Sequence, residues 1–379
     1  MPGDDKCSLC GFPRSIRQKL VWAADGGLYL PARRSERLIM LEQEEISTLL
    51  AEGTRLRGEE LLPTLRERRR EFSREQVASQ VRGLRRFLLR HRPMVKGAIK
   101  AAFGEASYYG CGNISVTRLH PGKEMELKAR HPYHPHLLAG DMWGFWEGLF
   151  GVEALLFLNR VSEGEWSIVV KTVGKAKSRL AGERPPRRPE RDYELEVCEK
   201  CRLPSYPYEL RWDPELGTIY HPGTHRHLVV TSVRGWQEVV QEINGSRSGE
   251  LPPSLGKLVR NRAAAEYAPF RQGNLKTAYR NFFMSLPFLG WGKPKRVTRK
   301  PFLMEAEIEG VPFPQLLSWK IAGVYEALEG VEAEVEFRRL GEGAWRYQVG
   351  PRLEGVFLPP HALLPERPQA AYPRPVFTF

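Results

Sequence analysis

At 379 residues, 41% of them hydrophobic, the chain is long enough for two cores, and no apolar run approaches the length that would span a membrane. With a mean hydropathy of -0.43 and no basic-then-apolar leader at its start, a soluble cytoplasmic protein is expected. The 58 Lys and Arg against 45 Asp and Glu, net +13, favour an acidic partner such as nucleic acid, an anionic surface or an acidic protein, without choosing among them.

In chain order, Cys7-Ser-Leu-Cys10 comes first, followed by a hairpin read as Ile16 to Trp22, a turn at Asp25-Gly-Gly27 and Leu28 to Leu30, with Leu38 to Leu41 as a third strand. Glu44 to Ala51 is predicted as a helix, with Ile46, Leu49 and Leu50 on its apolar face. The run from Thr54 to Phe103 is predicted helical and basic. On a 3.6-residue period Val77, Val81, Leu84 and Leu88 share one face and Arg82, Arg86 and Arg90 the other, a cationic back or a surface for phosphate or acidic protein. Strands are expected at Ile114 to Leu119 and Glu124 to Ala129, then a glycine-rich helix around Gly144 to Ala154, then strands at Leu155 to Leu158 and Trp166 to Val170. Residues 172–193, with Pro185-Pro-Arg-Arg-Pro189, read as a basic, proline-rich linker.

Past the linker the pattern returns. Cys198-Glu-Lys-Cys201 answers Cys7 and Cys10, Gly290-Trp-Gly292 answers Gly110-Cys-Gly112, and Gly323 to Ala333 answers Gly144 to Ala154. The offset falls from 191 at the cysteines to 179 at the glycine-rich helix, so the second copy lacks residues between Gly53 and Gly110, where the first carries its basic helix. Its strands are expected at Tyr208 to Trp212, Thr218 to Tyr220, Leu228 to Thr231, Arg296 to Thr298, Phe302 to Ile308, Ala333 to Phe337 and Trp345 to Val349, with a helix at Gly235 to Ile243. The expected fold is therefore α/β (α+β): two tandem repeats, each a CxxC hairpin followed by a helical segment and an antiparallel sheet with helices, packed as a pseudo-dimer. The first repeat spans 1–171 (hairpin 7–41, module 73–170) and the second 194–350 (hairpin 198–231, module 255–349), with 351–379 a proline-rich arm.

Four of the five cysteines sit in two CxxC pairs, a spacing suited to metal rather than to a disulfide framework in a chain of this size. One CxxC supplies half of a tetrahedral zinc shell. The economical arrangement puts Cys7, Cys10, Cys198 and Cys201 around one structural zinc per chain. Its rivals are a site from Cys198 and Cys201 with two of His221, His225 and His227, a redox dithiol, an iron–sulfur cluster, or metal-free thiols. Cys111 reads as a packing residue. His131, His134 and His136 are three imidazoles that metal, haem or proton transfer would suit, but the second copy carries Gly310 to Pro314 there, which favours a rigid connection. Trp143, Phe145, Trp146 and Phe150, with Tyr133, are candidates to line an apolar pocket. Gly144, Gly148 and Gly151 are expected to share a face open to close approach by a helix or flat ligand. Glu147 and Glu326 hold equivalent turns, either exposed or answering a basic group of the other half.

With the order helix, Gly-x-Gly, two strands, glycine-rich helix and closing Gly-x-Trp strand assembled, each half resembles the 4-vinyl-reductase domain family, whose fold is shared with small subunits of TRAPP vesicle-tethering complexes. The resemblance covers Ser73 to Val170 and Leu255 to Val349, on Gly112, Gly144, Gly148 and Gly151 in one copy and Gly292, Gly323 and Gly330 in the other. It implies an α/β module that often dimerises and holds a small apolar or aromatic molecule beneath the glycine-rich helix. Cysteines that the family often places in the closing strand are replaced here by Trp166 and Trp345, so that strand's metal site is not implied. No phosphate loop, nucleophile elbow or metalloprotease motif occurs, and an enzyme is not indicated. The expectation is a binding or scaffold protein with a structural zinc, monomeric or homo-oligomeric, taking an apolar small molecule or a protein partner. The alternatives are nucleic-acid association through the basic helix 74–100, and a subunit of an enzyme acting on a tetrapyrrole or aromatic compound.

Overall fold

The computed structural model describes residues 6–31, 33–81, 92–176, 196–204, 210–222, 225–245, 250–352 and 376–378. The elements begin with β1 (Val21–Trp22), β2 (Leu28–Leu30), β3 (Arg33–Glu42), α1 (Gln43–Arg57), α2 (Leu61–Gln80) and α3 (Arg92–Tyr108). They continue with β4 (Asn113–His120), β5 (Glu124–Arg130), α4 (Pro135–Phe150), β6 (Val152–Ser162), β7 (Glu165–Lys175), β8 (Arg211–Asp213), β9 (Thr218–His221), β10 (Arg226–Ser232) and α5 (Val233–Asn244). The last are α6 (Pro253–Tyr267), α7 (Leu275–Leu289), β11 (Lys293–Lys300), β12 (Leu303–Glu309), α8 (Pro314–Glu329), β13 (Ala333–Gly341), β14 (Ala344–Pro351) and β15 (Val376–Thr378). Helices and antiparallel sheets are mixed, as the sequence implied.

Two compact units form, and the repeat boundaries 1–171 and 194–350 are not theirs. Unit one comprises Met1–Ile16, Met40–Arg187 and Tyr208–Arg247; unit two comprises Arg17–Ile39, Arg188–Pro207 and Ser248–Phe379. The hairpin that follows the first CxxC therefore belongs to the unit holding the second sheet, and the hairpin that follows the second CxxC to the unit holding the first.

In unit one β4, β5, β7 and β6 pair antiparallel in that order. Period-two alternation sets the faces. Met125, Leu127 and Ala129 of β5 and Ile168 and Val170 of β7 are buried, while Glu124, Glu126 and Lys128 take the opposite side. Helix α4 packs on β6 and β7, and α2 packs along α4. Their contact is made backbone to backbone. A Cβ on Gly140 would stand 2.6 Å from the Arg66 carbonyl oxygen and one on Gly148 2.7 Å from that of Arg74, while Gly144 is closer still to the Arg70 carbonyl. The glycine face is thus Gly140, Gly144 and Gly148. Gly151, expected on it, instead closes α4 as a left-handed cap at φ 67, its N–H donating to the Glu147 carbonyl.

The hairpin β8–β9 docks on this module. Gly112 N–H donates to the Gly217 carbonyl at 2.9 Å, and the Trp212 indole to the Tyr108 carbonyl at 3.2 Å. Gly217, at φ 67, lies so close to the Gly112 backbone that no side chain fits between them.

Unit two has the order β13-β14-β12-β11, with β15 added in parallel on β11. Met304, Ala306 and Ile308 of β12 and Tyr347 and Val349 of β14 fill its core. Its hairpin β1–β2 docks by the same two contacts: Gly292 N–H to the Gly26 carbonyl at 3.3 Å, and the Trp22 indole to the Phe288 carbonyl at 2.9 Å. Gly323 of α8 meets the Arg260 carbonyl of α6, but where α4 has Gly140 this helix has Trp319, whose ring stands where a Cβ on Gly256 would be, at 2.7 Å.

Three expectations change. The helical run 54–103 is broken: α1 stops at Gly58 (φ 86), α2 ends as Val81 leaves helical dihedrals (φ -100, ψ 64), and α3 begins at Arg92. Leu84, Leu88, Arg82, Arg86 and Arg90 lie outside the described residues. Between the first CxxC and β1, Arg14–Gln18 is a 3-10 turn rather than strand. The linker opens later than residue 172, because Thr172 to Lys175 remain paired in β7, and most of the linker and arm lies outside the described residues.

Candidate metal centre and groove

Each CxxC is shaped by its own backbone. Cys7 N–H donates to the Phe12 carbonyl and Gly11 N–H returns to the Cys7 carbonyl, both at 2.8 Å. Cys198 N–H donates to the Leu203 carbonyl and Arg202 N–H returns to the Cys198 carbonyl, again at 2.8 Å. Short isolated bridges, Lys6 with Pro13 and Val197 with Pro204, close the two loops. The turn requires a left-handed residue after the second cysteine. Gly11 provides it at φ 72, and Arg202 adopts it at φ 60 in spite of its side chain.

The ligand atoms of Cys7, Cys10, Cys198 and Cys201 all lie within 4.8 Å of one another. Cys7, Cys198 and Cys201 are buried, Cys10 is half-buried, and none is in a disulfide. A metal ion fits this set. Zinc bound tetrahedrally at about 2.3 Å from each sulfur holds the sulfurs about 3.8 Å apart, inside that 4.8 Å limit. Among the described residues no other set of three or more His, Cys, Asp or Glu is arranged to hold a metal.

His131, His134 and His136 are accordingly not gathered as three ligands. His131 is exposed, with its N–H bonded to the Gly164 carbonyl. The rings of His134 and His136 lie 5.9 Å apart, each with a buried Nδ1 that has no hydrogen-bond partner. Burial, then the neighbouring His136, presses the His134 pKa down to about 4; burial, then Arg66, lowers that of His136.

The aromatic candidates divide. Trp146 is fully buried, its indole donating to Thr172 Oγ1 and its ring tilted on Phe150 at 4.4 Å. Tyr133 is buried with its hydroxyl on Asp141 at 2.7 Å, and Phe145 rests on Phe103 at 5.8 Å. Trp143 differs. Its indole donates to the Ala154 carbonyl, the Arg70 guanidinium stacks 4.1 Å from its ring centre, and it lines an open groove of about 340 Å³ with Pro63, Thr64, Arg66, Glu67 and Leu156.

Two ion-pair clusters in unit one escaped the sequence reading. Glu147, whose side chain is inaccessible to solvent, binds Arg70 at 2.9 and 3.1 Å, accepts the Ala154 N–H at 2.8 Å and has Arg74 at 3.7 Å. It answers a basic group of its own unit, which corrects the expectation of exposure or a partner in the other half. Asp141 receives Arg69 at 2.7 Å, Ser73 at 3.0 Å and Tyr133. The signal of the Glu147 cluster was Arg70 and Arg74 at i, i+4 on the helix facing the glycines, legible only once the two helices are known to touch. Beside Asp141, burial and that carboxylate push the Cys111 thiol up to about 12, so it stays protonated, in keeping with a packing role.

Compared with protein-family models, curated proteins and solved structures, the chain matches none.

Proposed function

We propose that this is a non-catalytic binding or scaffold protein held by a structural zinc ion on Cys7, Cys10, Cys198 and Cys201, with apolar small-molecule binding or protein assembly as its task. The carrying observation is the cluster of four cysteine sulfurs within 4.8 Å. Four thiolates complete a tetrahedral shell and leave no position for a substrate or an activated water, which is how structural sites differ from catalytic ones. Burial of three of the four favours the neutralising metal, because an ion gathers charge that separate thiolates would have to carry in a poorly solvated place. The likeness of each half to the 4-vinyl-reductase type supports a duplicated module and an apolar ligand. The groove beside Trp143 and Leu156, with Arg66 at its wall, is the place in unit one where such a molecule would meet both aromatic surface and a cation.

Native mass spectrometry with elemental analysis of the full chain tests the reading. One zinc per chain is expected, and Cys198→Ser is expected to lose the whole metal content. Retention of half an equivalent or more in that variant, or a metal-free wild-type chain, refutes a single four-cysteine centre.

A further inference from the structure

We infer that β6 of unit one pairs, edge to edge and antiparallel, with β6 of a second copy of this chain, joining two protomers about a two-fold axis. The inference goes beyond the metal centre and does not depend on it. Strand β6 ends its sheet: among the described residues its one hydrogen-bonded neighbour is β7. An edge strand offers a row of backbone donors and acceptors, and proteins normally blunt such edges with charge, bulges or proline. Two other edges here are blunted or covered. Edge β4 is bulged in mid-strand between Val116 and Arg118, and β11 carries β15.

The segment Leu155-Leu-Phe-Leu-Asn159 has no charge, glycine or proline and lies between the bulges of β6 at Glu153/Ala154 and Arg160/Ser162; at Ala154 the backbone N–H and carbonyl are already taken by Glu147 and the Trp143 indole, so the edge open to pairing begins after it. Leu155 is 51% exposed and Phe157 48%, with Val161 and Val173 exposed beside them. The fold does not need them there. At the corresponding positions of β13, unit two has Glu334 and Glu336, followed by Arg338 and Arg339, the charged and solvated kind of edge by which proteins discourage pairing.

The occupant follows from self-complementarity. Antiparallel pairing of identical strands about Phe157 sets Leu156 against Leu158 and Leu155 against Asn159, with no like charges opposed. It also brings the Glu153 end of one strand to the Arg160 end of the other. Leu156 lines the groove beside Trp143, so an added strand would extend the sheet along that groove. A two-fold contact of one patch with itself is the commonest way for identical chains to close.

Sedimentation equilibrium on the metal-loaded full chain, across the micromolar range, is the test. A dimer is expected, and Leu155→Glu with Phe157→Glu, which writes the residues of β13 into β6, is expected to weaken it by about a hundredfold or more while leaving circular dichroism and metal content unchanged. A monomeric wild type, or a double variant as dimeric as the wild type, overturns the inference. Should the variant misfold, hydrogen exchange of the wild type decides: protection of the Leu156 and Leu158 amides, which alternate with those bonded to β7, that rises with protein concentration supports the pairing, and protection indifferent to concentration overturns it. Metal content is read in the same samples, so failure of the zinc centre and failure of the dimer are told apart.

Discussion

Units one and two share a strand order and the close approach at Gly144 and Gly323, but fill one end of the same helix contact in opposite ways. In unit one the long helix is pared to Gly140, Gly144 and Gly148, and the arginines of α2 lie against it. In unit two Trp319 is the large partner and Gly256 the small one. Close-packed interiors accept either solution provided the summed volume is kept, so size can move from one helix to the other. What does not move is charge. Asp141 with Arg69 in α2 has as its counterparts Lys320 and Val259, and in unit two Lys320 instead lies 5.0 Å above the ring of Trp291. At this helix contact unit one therefore sets a buried ion pair where unit two sets a cation on an aromatic ring.

The largest expected difference between them lies at the paired glutamates. Glu147 is inaccessible to solvent and bonded to Arg70 and the Ala154 N–H, whereas Glu326 is 20% exposed, 3.6 Å from Arg260 and accepts the Ala333 N–H at 3.0 Å. Removing Glu147 leaves the buried Ala154 N–H without a partner and takes from Arg70 one of its two carboxylates, Glu67 remaining at 2.7 Å, at a cost of about 2–3 kcal/mol. Losing a partly solvated contact costs about 1 kcal/mol. Glu147→Ala should accordingly lower the denaturant midpoint far more than Glu326→Ala, and equal losses would mean that the two units do not differ in how they are held.

Acid should find the same asymmetry. His134 and His136 of unit one correspond to Phe313 and Gln315 of unit two, which do not titrate. With its folded pKa held near 4 by burial and an unfolded value of about 6.5, His134 binds its proton more readily in the unfolded chain. Its contribution is fully present above about pH 6.5 and is lost as pH falls from there toward 4, on the order of 2 kcal/mol in all. His134→Phe should flatten the fall in stability over that window, leaving the smaller share of His136. An unchanged pH profile would remove His134 from the explanation.

Local pattern made most of the sheet legible. The alternation in Met125, Leu127 and Ala129, and in Met304, Ala306 and Ile308, is the direct record of one buried face. The CxxC pairs were legible as a set that could hold a metal ion because donor type and spacing are local. The exchange of hairpins was not, since which sheet receives Gly217 or Gly26 is settled by two non-local hydrogen bonds and a close backbone approach that leave no periodic trace. Glycine roles were half legible. Gly144 and Gly148 face α2 as spacing required, but a helix-terminal glycine such as Gly151 has the same spacing and a different task, which its dihedral reveals. Glu147 gave no sign of burial, because a carboxylate in an apolar helix looks alike whether it meets water or an arginine on another helix.

The smallest expected effect separates the two cysteine loops, which share the same two backbone hydrogen bonds but differ at the residue after the second cysteine. Gly11 takes φ 72 without strain; Arg202 takes φ 60, where its Cβ crowds the backbone. Part of that strain should be recoverable. Arg202→Gly is expected to raise stability by roughly 0.5–1 kcal/mol in the metal-loaded protein, the relief of the left-handed conformation outweighing the greater freedom of glycine in the unfolded chain. Gly11→Ala should lower it by a similar amount. The loops keep their cysteines in both variants, so any metal content is expected to stay constant while the midpoints move in opposite directions. If both variants destabilise, Arg202 contributes more through its side chain than its backbone costs.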